Sequence, residues 1–150
     1  MEAFLKVIAF YLPQYHEVEE NNKWWGKGFT EWTNVKKAKP LFKKHYQPRV
    51  PYKSNYYNLL DTEVLRWQAE LAKEYKVDGF CFYHYWFNGK RLLDKPAELL
   101  LADQSINMPF MFSWANEPWT RSWDGSHRDV LMPQEYGGPE EWLQHFNYLK

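Results

Sequence analysis

The chain has a single cysteine, Cys81, in 150 residues. One thiol excludes an intrachain disulfide and suits a reducing, cytoplasmic compartment. Its apolar surroundings read as core rather than nucleophile. There is no net charge, because 19 basic side chains balance 19 acidic ones. The overall basic footprint of a nucleic-acid binder is therefore missing. Long hydrophobic runs are missing too. The segment from Phe4 to Leu12 is apolar but short and contains Lys6, so no membrane span is expected. No small-residue cleavage site follows it, and it reads as a first strand rather than a signal peptide. Glycines number seven. No Gly-x-Gly-x-x-Gly turn follows an apolar run, so dinucleotide binding lacks its mark. His16, His45, His84, His127 and His145 show no close spacing such as His-x3-His. Neither a cofactor nor a metal is expected.

Aromatic residues, by contrast, are abundant. Nine Trp, eleven Tyr and ten Phe make up 20% of the chain, yet the mean hydropathy is −0.74. Many rings must sit among polar groups rather than in a plain core.

Three apolar runs alternate with helical patterns. Val7 to Leu12, stopped by Pro13, reads as a strand buried on both faces. Residues 13–60 read as a long irregular stretch, whose length points to function. A helix capped by Asp61 or Thr62 follows, with Val64, Trp67, Leu71 and Tyr75 as its stripe, widened by Leu65 and Ala72. Gly79 to Phe87 is the second strand, and Asn88-Gly89 turns the chain. A second helix runs from Asp94 or Lys95 to about Asp103. Phe110 to Ala115 is the third strand. Gly137-Gly138-Pro139 opens a third helix, with Trp142, Phe146 and Leu149 as its apolar face.

The order β-α-β-α-β-α implies parallel strands, in an open doubly wound sheet or a (β/α)8 barrel. Polar and aromatic groups close all three strands, which favours the barrel, where reactive groups gather at strand C-termini. A complete barrel takes about 250 residues. Residues 1–150 are therefore expected to be the N-terminal part of one larger barrel domain, incomplete at the C-terminus.

The segment from Trp114 to Gly125 places two carboxylates, an amide, a guanidinium and three indoles where the third strand ends. Indole faces stack on sugar C–H faces, and carboxylates act as acids, bases and nucleophiles. Glu117 is the candidate catalytic residue, with Glu31 and Asp124 as candidate partners, since glycoside cleavage usually uses a carboxyl pair. The plain alternative has Glu117 paired with Arg121. Trp24-Trp-Gly-Lys-Gly-Phe-Thr-Glu-Trp32 suits a sugar-stacking lip or a hydrophobic plug over the barrel mouth. Strand alternation sends His84 to one side with Phe82 and Trp86, and Tyr83 and Tyr85 to the other. Lys36 to Lys44 is a basic cluster that reads as a solvated loop, with a nucleotide diphosphate or lipid phosphate as the alternative ligand.

Four motifs carry a family resemblance across nearly the whole chain: Ala9 to His16, Gly28 to Val35, Gly79 to Phe87, and Trp114 to Trp119 with Trp123-Asp-Gly125. Together they resemble the glycosyltransferase WbsX family, grouped with glycoside hydrolase family 99-like domains. The resemblance implies a (β/α)8 barrel acting on saccharides in bacterial O-antigen, capsule or rhamnan-type polysaccharide assembly. It implies an oligosaccharide or polysaccharide substrate, with a sugar nucleotide or lipid-linked glycan as further partners. The related endo-α-mannosidases use two glutamates late in the barrel, in a Trp-Asn-Glu-Trp-like region. No second such motif occurs here, so the main acid and base are expected beyond Lys150, with Glu117 as a binding or supporting residue. Tyr11, Tyr15, His16, Glu31, Trp32, His84, Trp114, Asn116, Arg121 and Asp124 are expected to line the sugar cleft around Glu117. A non-catalytic saccharide-binding module is the alternative, and nucleic-acid binding a weaker third.

Overall fold

The computed structural model describes residues 5–121 and 125–150. Strand β1 (Ile8–Tyr11) is followed by two short helices, α1 (Glu19–Trp25) and α2 (Glu31–Lys37), and then by α3 (Thr62–Glu74). Strands β2 (Gly79–Phe87) and β3 (Lys90–Leu92) precede α4 (Lys95–Ala102). Strand β4 (Phe110–Trp114), the β5 (Trp119–Arg121) and β6 (Ser126–Met132) pair, and α5 (Pro139–Leu149) complete the chain.

The core of the fold is a mixed α/β layer. β1 and β4 both pair with β2 in parallel, one on each side. Ile8 registers with Gly79, and Phe80 with Phe110. The approach at Gly79 is tight. A Cβ there would lie 2.8 Å from the Pro109 carbonyl oxygen. Phe80 N–H donates to that same oxygen at 3.0 Å.

Helices α3 and α4 cover one face of this sheet. Leu65 and Ala69 of α3 and Ala97 and Leu100 of α4 bury against Phe80 and Phe82. Burying each Leu or Phe contributes about 1.5–3 kcal/mol, so this seam anchors the fold. The expected stripe on α3 is rotated. Val64, Leu65 and Ala72 of the expected set pack on the core together with Ala69, while Trp67, Leu71 and Tyr75 are exposed. Asp61 caps the helix by accepting from Glu63 N–H at 3.0 Å. Arg66 and Asp103, 2.8 Å apart, tie α3 to the end of α4.

Other expectations are refined. Of the three parallel strands, the central β2 is buried on both faces, whereas β1 and β4 at the sheet edges leave side chains exposed. Phe10 of β1 and Met111 of β4 are exposed. Residues 13–60 are not wholly irregular, since α1 and α2 lie within them. Asn88 and Gly89 do turn the chain, both at positive φ, and β3 folds back antiparallel on β2. No local sequence pattern marks the β5–β6 pair. Its short strands interrupt the apolar-run pattern, and their register is irregular. Trp142, Phe146 and Leu149 of α5 are exposed, while His145 and Tyr148 meet the sheet.

Among the described residues, no helix is long and apolar enough to cross a membrane. Cys81 is buried in β2.

Candidate functional site

A cleft of about 320 Å³ opens between α1, α2, the segments that follow β1, β3 and β4, and the β5–β6 pair, next to the Tyr85 face of β2. Glu31 and Glu117 both line it, with Gln14, Asn21, Trp119 and Thr120. Each element has a local reason for its place. Asn22 of α1 accepts from Gly28 N–H at 2.9 Å and Phe29 N–H at 3.1 Å, fixing the turn between α1 and α2. Lys90 reaches Glu20 at 2.7 Å and ties α1 to β3. Glu31 then falls in the first turn of α2, where the helix dipole favours a carboxylate. Burial outweighs this and raises its pKa. Glu117 stands on the loop after β4 and is exposed.

Tyr85 forms part of the packed wall behind the cleft. Gln14 Nε2 donates to its hydroxyl at 2.6 Å. Burial pushes the Tyr85 phenol up, Gln14 opposes this, and the negative charges of Glu117 and Glu31 add to it. Both glutamates are therefore within electrostatic reach of one phenol. Trp119 packs edge-on against Tyr85 at 5.0 Å, and against Trp24 and Phe87 at 5.8 Å each. Three rings hold its indole in place where it borders the cleft.

The opposite face of the sheet has a different character. His84, 3% exposed, packs against Phe112, His145 and Tyr148. Burial, the His145 ring and Arg91 lower its pKa to about 4. Trp114 Nε1 donates to the Trp86 carbonyl at 3.2 Å, and its ring meets Tyr136 and His145. Tyr11 stacks on Phe82, and its hydroxyl donates to Gln68 Oε1 of α3. These three side chains sit on the helix side, away from Glu117.

A model of the family described as Glycosyltransferase WbsX matches residues 7–150. The chain belongs to the glycosyltransferase WbsX family. Two curated relatives, each titled Uncharacterized protein WxcX, come from Xanthomonas campestris pv. campestris strains B100 and ATCC 33913. Each is 50% identical over 135 residues, covering 90% of this chain and 19% of the relative. The chain thus matches about a fifth of the length of those relatives. No solved structure matches it.

In this WbsX-family chain the expected site residues separate into groups. Glu31 and Glu117 share the cleft. Tyr15 and Trp32 pack behind it, 4.5 Å apart, in a cluster with Tyr57, whose carbonyl accepts from Trp32 Nε1 at 2.8 Å. Burial, then the Glu31 charge, raises the Tyr15 pKa. His16 is 1% exposed, and neither ring nitrogen makes a hydrogen bond of ordinary geometry among the described residues. Burial lowers its pKa to about 4 against a weaker pull from the Pro13 backbone. The exposed Asn116 follows β4, and its carbonyl accepts from Tyr136 at 2.8 Å. Arg121 sits over the Trp25 ring at 5.2 Å. Asp124 and Trp123 lie outside the described residues. Gln14, Asn21 and Tyr85 were not among the expected residues, whereas Trp119 is one of the three indoles expected at the end of the third strand. The two-residue alternation of β2 had separated Tyr85 from His84. What it lacked was a sign of which face would meet the cleft.

Proposed function

We propose that this chain is the N-terminal part of one glycoside hydrolase family 99-like (β/α)8 barrel domain. Its Glu31–Glu117 cleft forms part of the saccharide site of the full-length protein. That protein makes or trims a bacterial surface polysaccharide of the O-antigen, capsule or rhamnan type. Its partners are an oligosaccharide or polysaccharide and, for transfer, a sugar nucleotide or lipid-linked glycan. The single cysteine of this chain, Cys81, is buried in β2 and supports a reducing, cytoplasmic setting.

The observation that carries this reading is the convergence of Glu31 and Glu117 beside Trp119 in one cleft of a WbsX-family chain. Sugars offer hydroxyls and apolar C–H faces. Carboxylates accept from hydroxyls, the Gln14 and Asn21 amides donate and accept, and an indole supplies the apolar face. Glu117 serves as a binding or supporting residue, and the main acid and base come from beyond Lys150. The barrel part of the reading draws support from strand order. Each parallel strand pairs with the next parallel strand in sequence, without the reversal of a doubly wound sheet. Phe10 and Met111, exposed on the face opposite the helices, suit a barrel interior that further strands would fill.

The test uses full-length protein with glycans and sugar nucleotides, measuring turnover and binding for wild type, Glu31→Gln and Glu117→Gln. Wild-type turnover with weakened binding in both variants supports the proposal. Binding without turnover by wild type on every substrate identifies a saccharide-binding module instead. No glycan binding at all overturns the saccharide reading.

A further inference from the structure

Between Glu31 and Asp61 the chain has no acidic side chain, six lysines and Arg49. Among the described residues, none of these seven cations makes an ion pair. A chain of zero net charge thus concentrates unneutralised positive charge in one loop.

The tip of that loop is ordered by its own contacts. His45 N–H donates to the Phe42 carbonyl at 3.0 Å, and Leu41 N–H donates to His45 Nδ1 at 3.2 Å. The Phe42 and His45 rings stack at 4.6 Å with 7° between planes. The turn holds Leu41 and Phe42 outward, 84% and 67% exposed, between Lys39 and Lys43-Lys44. Tyr46 and Tyr52 are also exposed, with Arg49 at 5.8 Å and Lys53 at 5.4 Å from their ring centres. Single exposed apolar side chains are ordinary, but apolar tips interleaved with free cations are the makings of an interaction surface.

We propose that residues 36–53 form a peripheral docking surface for an anionic lipid bilayer. Leu41 and Phe42 enter the headgroup boundary, and the flanking basic side chains meet lipid phosphates. Two forces then act together, since apolar burial holds the tip while charge attraction brings it in. A single-stranded nucleic acid fits less well. It would use the cations and the rings but gain nothing from the aliphatic Leu41, the most exposed apolar side chain of the tip. This inference does not rest on the saccharide cleft.

The experiment is vesicle flotation of the purified protein, with phosphatidylcholine alone or mixed with phosphatidylglycerol. The protein is expected to float with the anionic vesicles only, with roughly tenfold weaker binding at high salt, as screening requires. Leu41→Ser with Phe42→Ser, and separately Lys43→Gln with Lys44→Gln, should each reduce binding at least about tenfold while circular dichroism stays unchanged. Failure to float with anionic vesicles overturns the proposal, as does flotation indifferent to the Leu41 and Phe42 changes. Displacement by a single-stranded oligonucleotide, with the apolar variants still behaving as wild type, assigns the loop to nucleic acid.

Discussion

His84 Nε2 lies 2.9 Å from His145 Nε2, joining β2 to α5. Trp86 stacks flat on His145 at 4.5 Å and 6°, and Tyr148 covers His84. In a neutral pair one ring donates and the other accepts. Two imidazolium rings could only repel, and Arg91 adds to the positive potential at His84.

This arrangement predicts a pH dependence of stability. The folded pKa of His84 is lowered to about 4, as is that of His16, and His145 is lowered as well. The unfolded chain therefore binds more protons below the usual histidine value of about 6.5. Stability contributed by keeping these rings neutral is full above pH 6.5 and lost progressively toward pH about 4. Thermal midpoints measured from pH 8 to pH 4 should fall across that window. Glu98 and Glu141, lowered below 4.5 by the Lys95 contact and the Gly138 backbone respectively, lose their stabilising contribution at lower pH. His84→Phe should flatten the slope between pH 6.5 and 4. An unchanged slope would show that His84 does not carry it.

Glu117→Gln in the full-length protein is expected to weaken saccharide binding roughly tenfold or more, the scale of a charged hydrogen bond. Glu31→Gln should do the same and should also remove the charge that helps to raise the Tyr85 phenol. Titration calorimetry and steady-state kinetics check both. Intact binding with kcat reduced by about a hundredfold or more would assign Glu117 to proton transfer instead.

Trp119→Ala removes the indole held by Trp24, Tyr85 and Phe87. Glycan affinity is expected to fall by about tenfold, and Trp119→Phe should restore part of it. Thermal melts of the same variants separate lost stacking from lost packing. Equal affinity for wild type and the alanine variant would remove Trp119 from the site.

Gly79→Ala forces a methyl group to within 2.8 Å of the Pro109 carbonyl oxygen and 3.2 Å of Ile8 Cδ1. Overpacking between strands should cost about 1–3 kcal/mol, read by urea unfolding. An unchanged midpoint would mean that β1 and the segment before β4 separate easily.

The helices and strands of the parallel sheet could be read from local signals. Asp61 marks the start of α3, Pro139 opens α5, and continuous apolar residues mark β2. The β5–β6 pair could not, because its register is irregular and its residues show no clean alternation. The site was half legible. Glu31 and Glu117 stood out as carboxylates in aromatic runs. Gln14 and Asn21 gave no chemical signal and owe their place to α1 and the end of β1.

The sequence by itself determined that His84 and Tyr85 lie on opposite faces of β2, because a strand alternates with a period of two. It also determined that aromatic and acidic groups crowd the ends of the strands. Only the tertiary structure decided which face became which. Helices α3 and α4 bury Phe80 and Phe82, and α5 brings His145 against His84. The two faces of an isolated strand differ only in their side chains. They become core and cleft when segments distant in the chain pack on one of them, and that packing put Tyr85 behind the cleft and His84 beneath a helix.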